Sequence, residues 1–585
     1  MNKLSTHETD EIRKNIWRVA LLNAVHHGGK AQNGPVLGKL LAEHPELKVR
    51  INEISSLVRE VVQEVDKLRL DEQKRVVSEK WPEALVTEKI EEERRLPPLP
   101  NVAKYEKVVT RFSPNPDCAI HLGSARAIIL CHEYAEIYNG IFYLRFEDTD
   151  PKVKKPQLQF YDSIRQDLAW LKCKPDGEFI QSDRLPIYYE HAERLLKDAS
   201  AYVCTCQPEA FRKKILAKKP CSCRHLSPKE HLIRWKHMLN GEYKEGEAVV
   251  RVKTDLGHPN PAVRDWPALR IIDAERNPHP RVGSKYRVWP LYNFACGIDD
   301  HLMGVTHIIR GKEHLTNQTR QEYLYKYFGW KYPETIHYGR LKITGAFLSK
   351  SKIVEGMKTG FFKSWDDPRL ATFAALRRRG IMPEAIRLLM IDVGPKTADV
   401  TLSWENLYAH NRKLIDPEAN RYFFVHNPIQ MTVKNILHAI KVKLNLHPDH
   451  PEKGFRQFEI KPENGKTLFW VSSQDLDLIE KRKKIRLMGL FNIQIEKSGK
   501  KQIEASFHSE SHVEAKRLGA PLVHWLPIDT GISCEVVMPD AFIAKGVAEE
   551  SCKRLKSNMI VQFERFGFVR IDNLDEKLTC YFAHR

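Results

Sequence analysis

The sequence predicts a multidomain α/β protein with a small helical module in front and an all-β tail behind. Three observations predict it. Between about Lys104 and Leu348 short β-rich runs ("KVVTRF", "GIFYLRF", "AVVRVK", "HIIRG") alternate with helical stretches, which argues a mainly parallel sheet with crossover helices. Residues 1 to 95 show helical spacing and high charge. Beyond Trp404 the text becomes short strands and turns such as "TLFWV", "CEVVM" and "GFVRID", spaced by Pro, Asn and Gly, the texture of one or two barrels. At 585 residues the chain is too long for one compact core, so several cores are expected.

The elements follow in order. In the N-terminal module Ile54, Leu57, Val58, Val61, Val62 and Val65 share one helical face. Gly28-Gly29 and Gly34-Pro35 interrupt the helices upstream with a turn bearing Lys30 and Lys39. That turn reads either as a plain helix-turn-helix connection or as a backbone-phosphate contact. "RRLPPLPNVAKYEK" breaks the periodicity with three prolines and is placed as a linker. Residues from about Val354 to Lys396 turn helical again. The expected limits are 1–100 for the helical module and linker, 101–350 for the α/β domain, 351–403 for a helical domain and 404–585 for the β tail.

Charge narrows the partners. Lys plus Arg total 94 against 75 Asp plus Glu, a net +19, and a basic surface gains affinity for polyanions by releasing their counterions. Nucleic acid is favoured over membrane, because no apolar run approaches the roughly 18 residues of a span and "MNKLSTHETDEIRKN" lacks the apolar core of a signal peptide. A cytoplasmic location is expected.

The α/β domain begins with a dense passage, "VVTRFSPNPDCAIHLGSARAIILCHEYA". Val108 to Phe112 reads as the first strand, "SPNPDCAI" as a stiff two-proline loop, and Gly123-Ser124 as the start of a helix buried through Ala125, Ile128, Ile129 and Ala135. A helix N-terminus at the carboxyl edge of such a sheet offers free N–H groups and partial positive charge to a nucleotide. Over 200 residues later Ser349-Lys350-Ser351-Lys352 sits in a polar, Gly-flanked loop after the last predicted strand, where a lysine could reach polyphosphate.

Together the two passages resemble the class I aminoacyl-tRNA synthetases. "HLGS" resembles the HIGH signature and "FLSKS" resembles KMSKS, in that order. "RFSPNPDCAIHLGSARA", "LRFEDTDP", "DDHLMGVTHIIRGKEHL" and "SWDDPRL" are similar to the glutamyl/glutaminyl branch, and "VTLSWENLYAHNRKLIDPEANRYFFV" to its archaeal and eukaryotic type. The resemblance covers about residues 100 to 585. It implies a Rossmann-like class I synthetase catalytic domain followed by β-barrel anticodon-binding domains, and glutamate–tRNA ligase activity using ATP and Mg²⁺. The glutaminyl enzyme and a catalytically inactive tRNA-binding homologue are the alternatives. It implies roles as well: His121 stabilises the phosphates, Gly123 lies under the adenine, and Ser349 and Lys350 bind ATP, Lys350 clamping the leaving group. Ser124 and Phe347 depart from the two signatures and Cys118 from a usual glycine, so no role passes to them.

Glutamate and glutamine differ by one charge, which a dry pocket can read with a buried arginine that the neutral amide would leave uncompensated. By resemblance Arg310 in "HIIRGKEH" is that arginine, where glutaminyl enzymes carry cysteine. Arg111 is the other side-chain-binding arginine, Ser113 lines the substrate site, and Glu147 and Tyr292 hold the α-amino group. Read without the resemblance, Glu147, Asp148 and Asp150 could form an exposed acidic turn, and Arg310 a surface ion pair.

Cys204, Cys206, Cys221 and Cys223 form a C-x-C, fourteen-residue gap, C-x-C pattern. Two close thiol pairs suit a structural, tetrahedral Zn²⁺, with four reduced thiols as the alternative and His225 as a substitute ligand. The expected partners are glutamate and tRNA-Glu, with tRNA-Gln left open, and the expected state is monomeric. The insertion, about 204–280, would grip the acceptor end, the helices near Trp365 to Met390 the inner L, and the β tail the anticodon. Tyr422, Phe423 and Phe424 could stack on bases or point into a β core. Arg377, Arg378 and Arg379 form either a tRNA-facing cationic run or a solvated helix face.

Overall fold

A computed structural model describes residues 6–26, 29–44, 47, 50–81, 96–347, 349–499 and 501–585. Gly28 and Leu348 lie outside the described residues, as do 82–95, the end of the stretch read as helical and the first two residues of the predicted linker. The chain separates into two units, Met1–Arg95 and Leu96–Arg585.

The first unit is helical: Thr6–His26, Asn33–Glu43, Ile51–Val65 and Leu70–Lys80. Ile54, Val58, Val61, Val62 and Val65 are buried as the spacing predicts, and Leu57 packs at the edge of the same core. Lys30 and Lys39 are exposed.

The second unit opens with three parallel strands, Val109–Phe112, Ile141–Phe146 and Gly177–Ile180, in that order. Helices Leu122–Ile137 and Leu158–Trp170 make the crossovers. A second parallel pair, His307–Gly311 with Glu334–Tyr338, joins the first strand where Thr306 N–H donates to Val109 O (3.0 Å). Ala125, Ile128, Ile129 and Ala135 are buried, as predicted for the first crossover helix. "AVVRVK" is not part of this sheet. Val249–Val252 belongs to a four-stranded antiparallel sheet with Ala201–Cys204, Pro267–Ile271 and Val288–Pro290, so the insertion's sheet extends past both expected limits. Alternation of strands and helices cannot by itself tell a crossover strand from one in an inserted meander.

Helices Phe373–Arg379 and Pro383–Val393 follow, and then Trp404–Ile415. This last helix corrects the reading of Trp404 as the start of a β tail. Its Leu407 is buried in the α/β core, and Trp404, Tyr408 and Leu414 pack against that core at helical spacing. From Arg421 onward the strands form two seven-stranded sheets and one antiparallel pair, Ile440–Asn445 with Phe455–Ile460. Arg421–Tyr422 and Phe424–His426 pair into the later sheet, with Ile560–Phe563 and Ile543–Ala548, before the chain enters the earlier one at Pro428–Lys434. Because side chains alternate along an extended backbone, Phe423 points into one core while Tyr422 and Phe424 fill the other. All three are buried, which decides for the core over base stacking.

The arginine run is neither a solvated face nor a free cationic strip. Arg377 pairs with Asp167 (2.9 Å) and Arg378 with Asp366 (2.9 Å). Arg379 is buried and donates to Ala583 O (2.9 Å) and Tyr408 OH (2.7 Å). The run fastens the helix Phe373–Arg379 to its neighbours. Among the described residues no helix is long and apolar enough to cross a membrane.

Candidate active site

The ends of strands Val109–Phe112, Ile141–Phe146 and His307–Gly311 border a cavity of about 710 Å³. Its lining includes Arg111, Ser113, Glu147, Tyr292 and Arg310. The five residues expected at the substrate therefore come together from positions spread over 200 residues of chain.

Arg111, only 6% exposed, donates from Nε (2.9 Å) and Nη2 (3.3 Å) to the two oxygens of Asp300. Arg145 Nη1 adds a bond to Asp300 Oδ1 (2.7 Å), and Arg145 Nη2 donates to Glu147 Oε1 (3.0 Å). Cys296 Sγ donates to that same oxygen (2.9 Å). Burial would push the Asp300 pKa up, but Arg111 and Arg145 overcome it and hold the carboxyl at about 2. Glu147 is thus fixed by its neighbours rather than set in an exposed turn. Asp148 beside it is fully buried, accepting from Tyr161 OH (2.6 Å), Ser182 N–H (2.8 Å) and Ser182 Oγ (2.7 Å), a bracing role.

Arg310 is equally buried, yet its partners are neutral: Gln321 Oε1 (3.1 Å from Nη1) and Tyr332 OH (3.0 Å from Nη2). Among the described residues it makes no ion pair, so the surface-pair alternative is not what the structure holds. Its Nε is buried without a partner, as are Ser113 Oγ, Asn115 Oδ1 and Asn293 Oδ1 on the same wall. Unsatisfied buried polar atoms are costly and uncommon, and their concentration here marks a place shaped for a polar ligand. Tyr292 OH meets His314 Nδ1 (3.2 Å).

His121, Gly123, Ser349 and Lys350 stand outside this lining, at the starts of two helices. His121 is the N-cap of Leu122–Ile137 and its Nδ1 accepts from the Gly123 N–H (3.0 Å). With Nδ1 accepting, the ring proton sits on Nε2, and burial lowers the His121 pKa, keeping the ring neutral. A Cβ at Gly123 would stand 2.7 Å from His121 Cε1, so the glycine seats the imidazole as well as leaving room above the helix. An antiparallel bridge from His121 to Thr372, with Leu122 N–H donating to Ala371 O (2.8 Å), ties the motif to the following helical region.

Lys350 does not lie in a loop: it opens the helix Lys350–Lys358, with Ser349 as N-cap. The polar, serine-rich text hides a helix start, because serine favours the position before one. Lys350 Nζ donates to Asp117, and Ser349 Oγ meets Ser351 Oγ (3.0 Å). Phe347, in place of a lysine, rests on Phe362 with ring centroids 5.2 Å apart.

The four cysteines meet as well. Their sulfurs all lie within 4.8 Å of one another, Cys204 and Cys206 leaving the end of a strand, Cys221 just before the turn Ser222–His225 and Cys223 within it. All are free thiols. A hydrogen bond from the Cys204 thiol pulls the Cys221 pKa down to about 5. His225 is not in the cluster.

Sequence reasoning missed Arg145, Asp300, Asn115, Asn293, Gln321, Tyr332 and Asp117. Arg145, Asp300, Asn115 and Asp117 stand inside quoted passages, but only their placing in space gives them a role; Asn293, Gln321 and Tyr332 carry no local signal.

Residues 107–417 match the family described as tRNA synthetases class I (E and Q), catalytic domain. Residues 419–510 and 522–572 match two families described as the anti-codon binding domain of the same enzymes. The chain is 54% identical over 584 residues to the glutamate–tRNA ligase of Pyrococcus furiosus, covering 98% of this chain and all of that protein. It is 44% identical over 579 residues to the glutamate–tRNA ligase of Methanopyrus kandleri, covering 99% of this chain and all of the relative. A crystal structure of a glutamate tRNA ligase from Elizabethkingia meningosepticum in complex with its amino acid aligns at 24% identity and a TM-score of 0.41, covering 54% of this chain and 71% of that one. With the catalytic family matched over more than half of its length and relatives at 54% identity spanning nearly all of it, the chain belongs to the class I tRNA synthetases of the E and Q branch.

Proposed function

We propose that the chain is a glutamate–tRNA ligase. The observation that carries this reading is the charge balance at the cavity: Arg111 and Arg145 are bound to the carboxylates of Asp300 and Glu147, whereas Arg310, buried on the same wall, has neutral hydrogen-bond partners and no ion pair among the described residues. The +1 of Arg310 complements glutamate, whose ammonium and two carboxylates sum to −1. Glutamine sums to zero and would leave Arg310 buried without a counter-charge.

In this reading the γ-carboxylate meets Arg310 and Arg111, and the α-ammonium meets Glu147 and Tyr292. Ser113 supplies a hydroxyl to the same pocket. ATP arrives as its magnesium complex. An α-carboxylate oxygen of glutamate attacks the α-phosphorus and the bond to pyrophosphate breaks. Positioning and cations do most of this work. Neutral His121 offers its Nε2–H to phosphate oxygens, Gly123 keeps the helix N-terminus open to the adenine, and Lys350, with Ser349 at its helix cap, meets the charge that grows on pyrophosphate. The terminal ribose hydroxyl of tRNA then attacks the activated carbonyl and AMP leaves.

The cysteine cluster reads as a structural zinc site, since four sulfurs within 4.8 Å of one another fit tetrahedral thiolate ligation. The ion would close the insertion and takes no part in the reaction. The two β sheets after Arg421 would take the anticodon.

The test is aminoacylation of transcribed tRNA-Glu and tRNA-Gln with labelled glutamate, with glutamine as competitor. Charging of tRNA-Glu unaffected by excess glutamine is expected. Charging with glutamine, or none at all, would overturn the reading, and the tRNA-Gln arm tells strict from relaxed charging.

A further inference from the structure

Arg111 and Arg310 reach the same cavity with opposite kinds of partner. Arg111 is neutralised by the Asp300 carboxylate. Arg310 is held by a closed triangle of neutral groups behind the cavity wall. Gln321, on Leu315–Phe328 and fully buried, accepts at Oε1 both from Arg310 Nη1 (3.1 Å) and from Tyr332 OH (2.7 Å). Tyr332 OH, its proton committed to Gln321, accepts from Arg310 Nη2 (3.0 Å). The Tyr332 ring is in turn set against Tyr325, centroids 4.8 Å apart. Neither Gln321 nor Tyr332 lines the cavity, so neither touches a bound substrate. Glu313, which does line it, makes no ion pair with Arg310 among the described residues.

A carboxylate at position 321 would offer the same acceptor geometry and cancel the charge. A neutral acceptor aims the guanidinium and leaves its charge to be matched from the cavity side. We infer that Gln321 and Tyr332 are positioning residues for amino-acid specificity: they fix Arg310 in place while keeping it electrostatically unspent, so that a side-chain carboxylate, and not an amide, completes its pairing. The inference rests on the glutamate reading above and adds to it the reason that Arg310 discriminates where Arg111 does not.

Steady-state aminoacylation of tRNA-Glu by wild type, Gln321→Glu and Tyr332→Phe, with glutamate and with glutamine, tests it. In Gln321→Glu the glutamate KM should rise at least about tenfold, with kcat within about threefold and the ATP KM unmoved. The preference for glutamate over glutamine in kcat/KM should fall at least about tenfold. Tyr332→Phe keeps the ring and removes one acceptor, so a rise of about threefold in glutamate KM alone is expected. A purely structural role would instead lower kcat, ATP use and thermal midpoint together. Gln321→Glu that folds and keeps its glutamate KM within about twofold of wild type overturns the inference; should that variant not fold, the same unchanged KM in Tyr332→Phe does so. Absence of glutamate charging by wild type would instead refute the glutamate reading, so the two failures are distinct.

Discussion

Lys350 donates its ammonium to the carboxylate of Asp117, joining the helix that follows the last strand of the α/β domain to the proline loop that follows the first. The lysine side chain is 40% exposed and the aspartate 9%. The lysine end of the pair is open to water, which screens it to about 1 kcal/mol, so the denser charge of a triphosphate can draw Lys350 away. Asp117 then competes with ATP for the lysine. Lys350→Ala should slow adenylate formation at least about 100-fold, the scale for losing a cation or donor aimed at developing charge, with tRNA affinity nearly intact. Asp117→Asn should keep kcat and lower the ATP KM by up to about fivefold, the equivalent of that 1 kcal/mol. Pyrophosphate exchange in the presence of tRNA reads both, and a raised ATP KM in Asp117→Asn would mean that the carboxylate assists binding.

Arg310→Cys removes the buried cation that makes no ion pair among the described residues. Glutamate then loses its charge partner, and the Tyr332 hydroxyl loses a donor. The glutamate KM should rise about 100-fold or more, consistent with losing a desolvated charged contact, while the ATP KM stays within about twofold. Arg111→Cys, by contrast, leaves Asp300 buried with only Arg145 against it and should cost stability as well as affinity. A variant at Arg310 with normal glutamate KM would place the specificity elsewhere.

The parts of this site legible in the sequence were those that obey a local rule. His121 and Gly123 sit where a strand-loop-helix pattern puts a helix start, and the apolar stripe of that helix follows the 3.6-residue period. Ser349 and Lys350 carried charge but not conformation: the text reads as loop, and the cap-and-helix geometry appears only when Ile353 is buried beneath it. Asp300 and Gln321 were not legible, because their roles depend on groups 189 and 11 residues away meeting them in space. The β tail shows the same limit. "RYFFV" announces a strand, but not that Phe423 serves one core and its two neighbours the other.

Cys204, Cys206, Cys221 and Cys223 should retain close to one equivalent of zinc through purification, since thiolates at this spacing bind tightly at neutral pH. Cys206 is the most open of the four, so Cys206→Ser should drop the content below about half an equivalent and loosen the insertion, seen as a lower thermal midpoint and faster proteolysis between Cys206 and Cys221. Cobalt-loaded wild type should show thiolate-to-metal absorption that the variant lacks. Wild type with less than about half an equivalent, indifferent to a strong chelator, would argue for bare thiols.

His584 is 1% exposed and its pKa is pushed down to about 4, by burial first and by Arg412 and Arg379 besides. Its neutral ring is satisfied on both sides, Nδ1–H donating to Arg585 O (2.9 Å) and Nε2 accepting from Asn411 (3.0 Å). An unfolded histidine takes a proton near pH 6.5 and this one resists until about 4, so between those values unfolding takes up a proton. Stability is therefore complete above about pH 6.5 and falls as the pH drops toward 4, by on the order of 3 kcal/mol for this ring. His337 is pushed down to about 4 in the same sense, chiefly by burial, so wild type should lose thermal midpoint steadily through this window. His584→Gln should start lower at pH 7, having lost a fitted ring, and then decline less steeply than wild type. Parallel declines in the two proteins would show that His584 is not among the groups that set the acid limit of the fold.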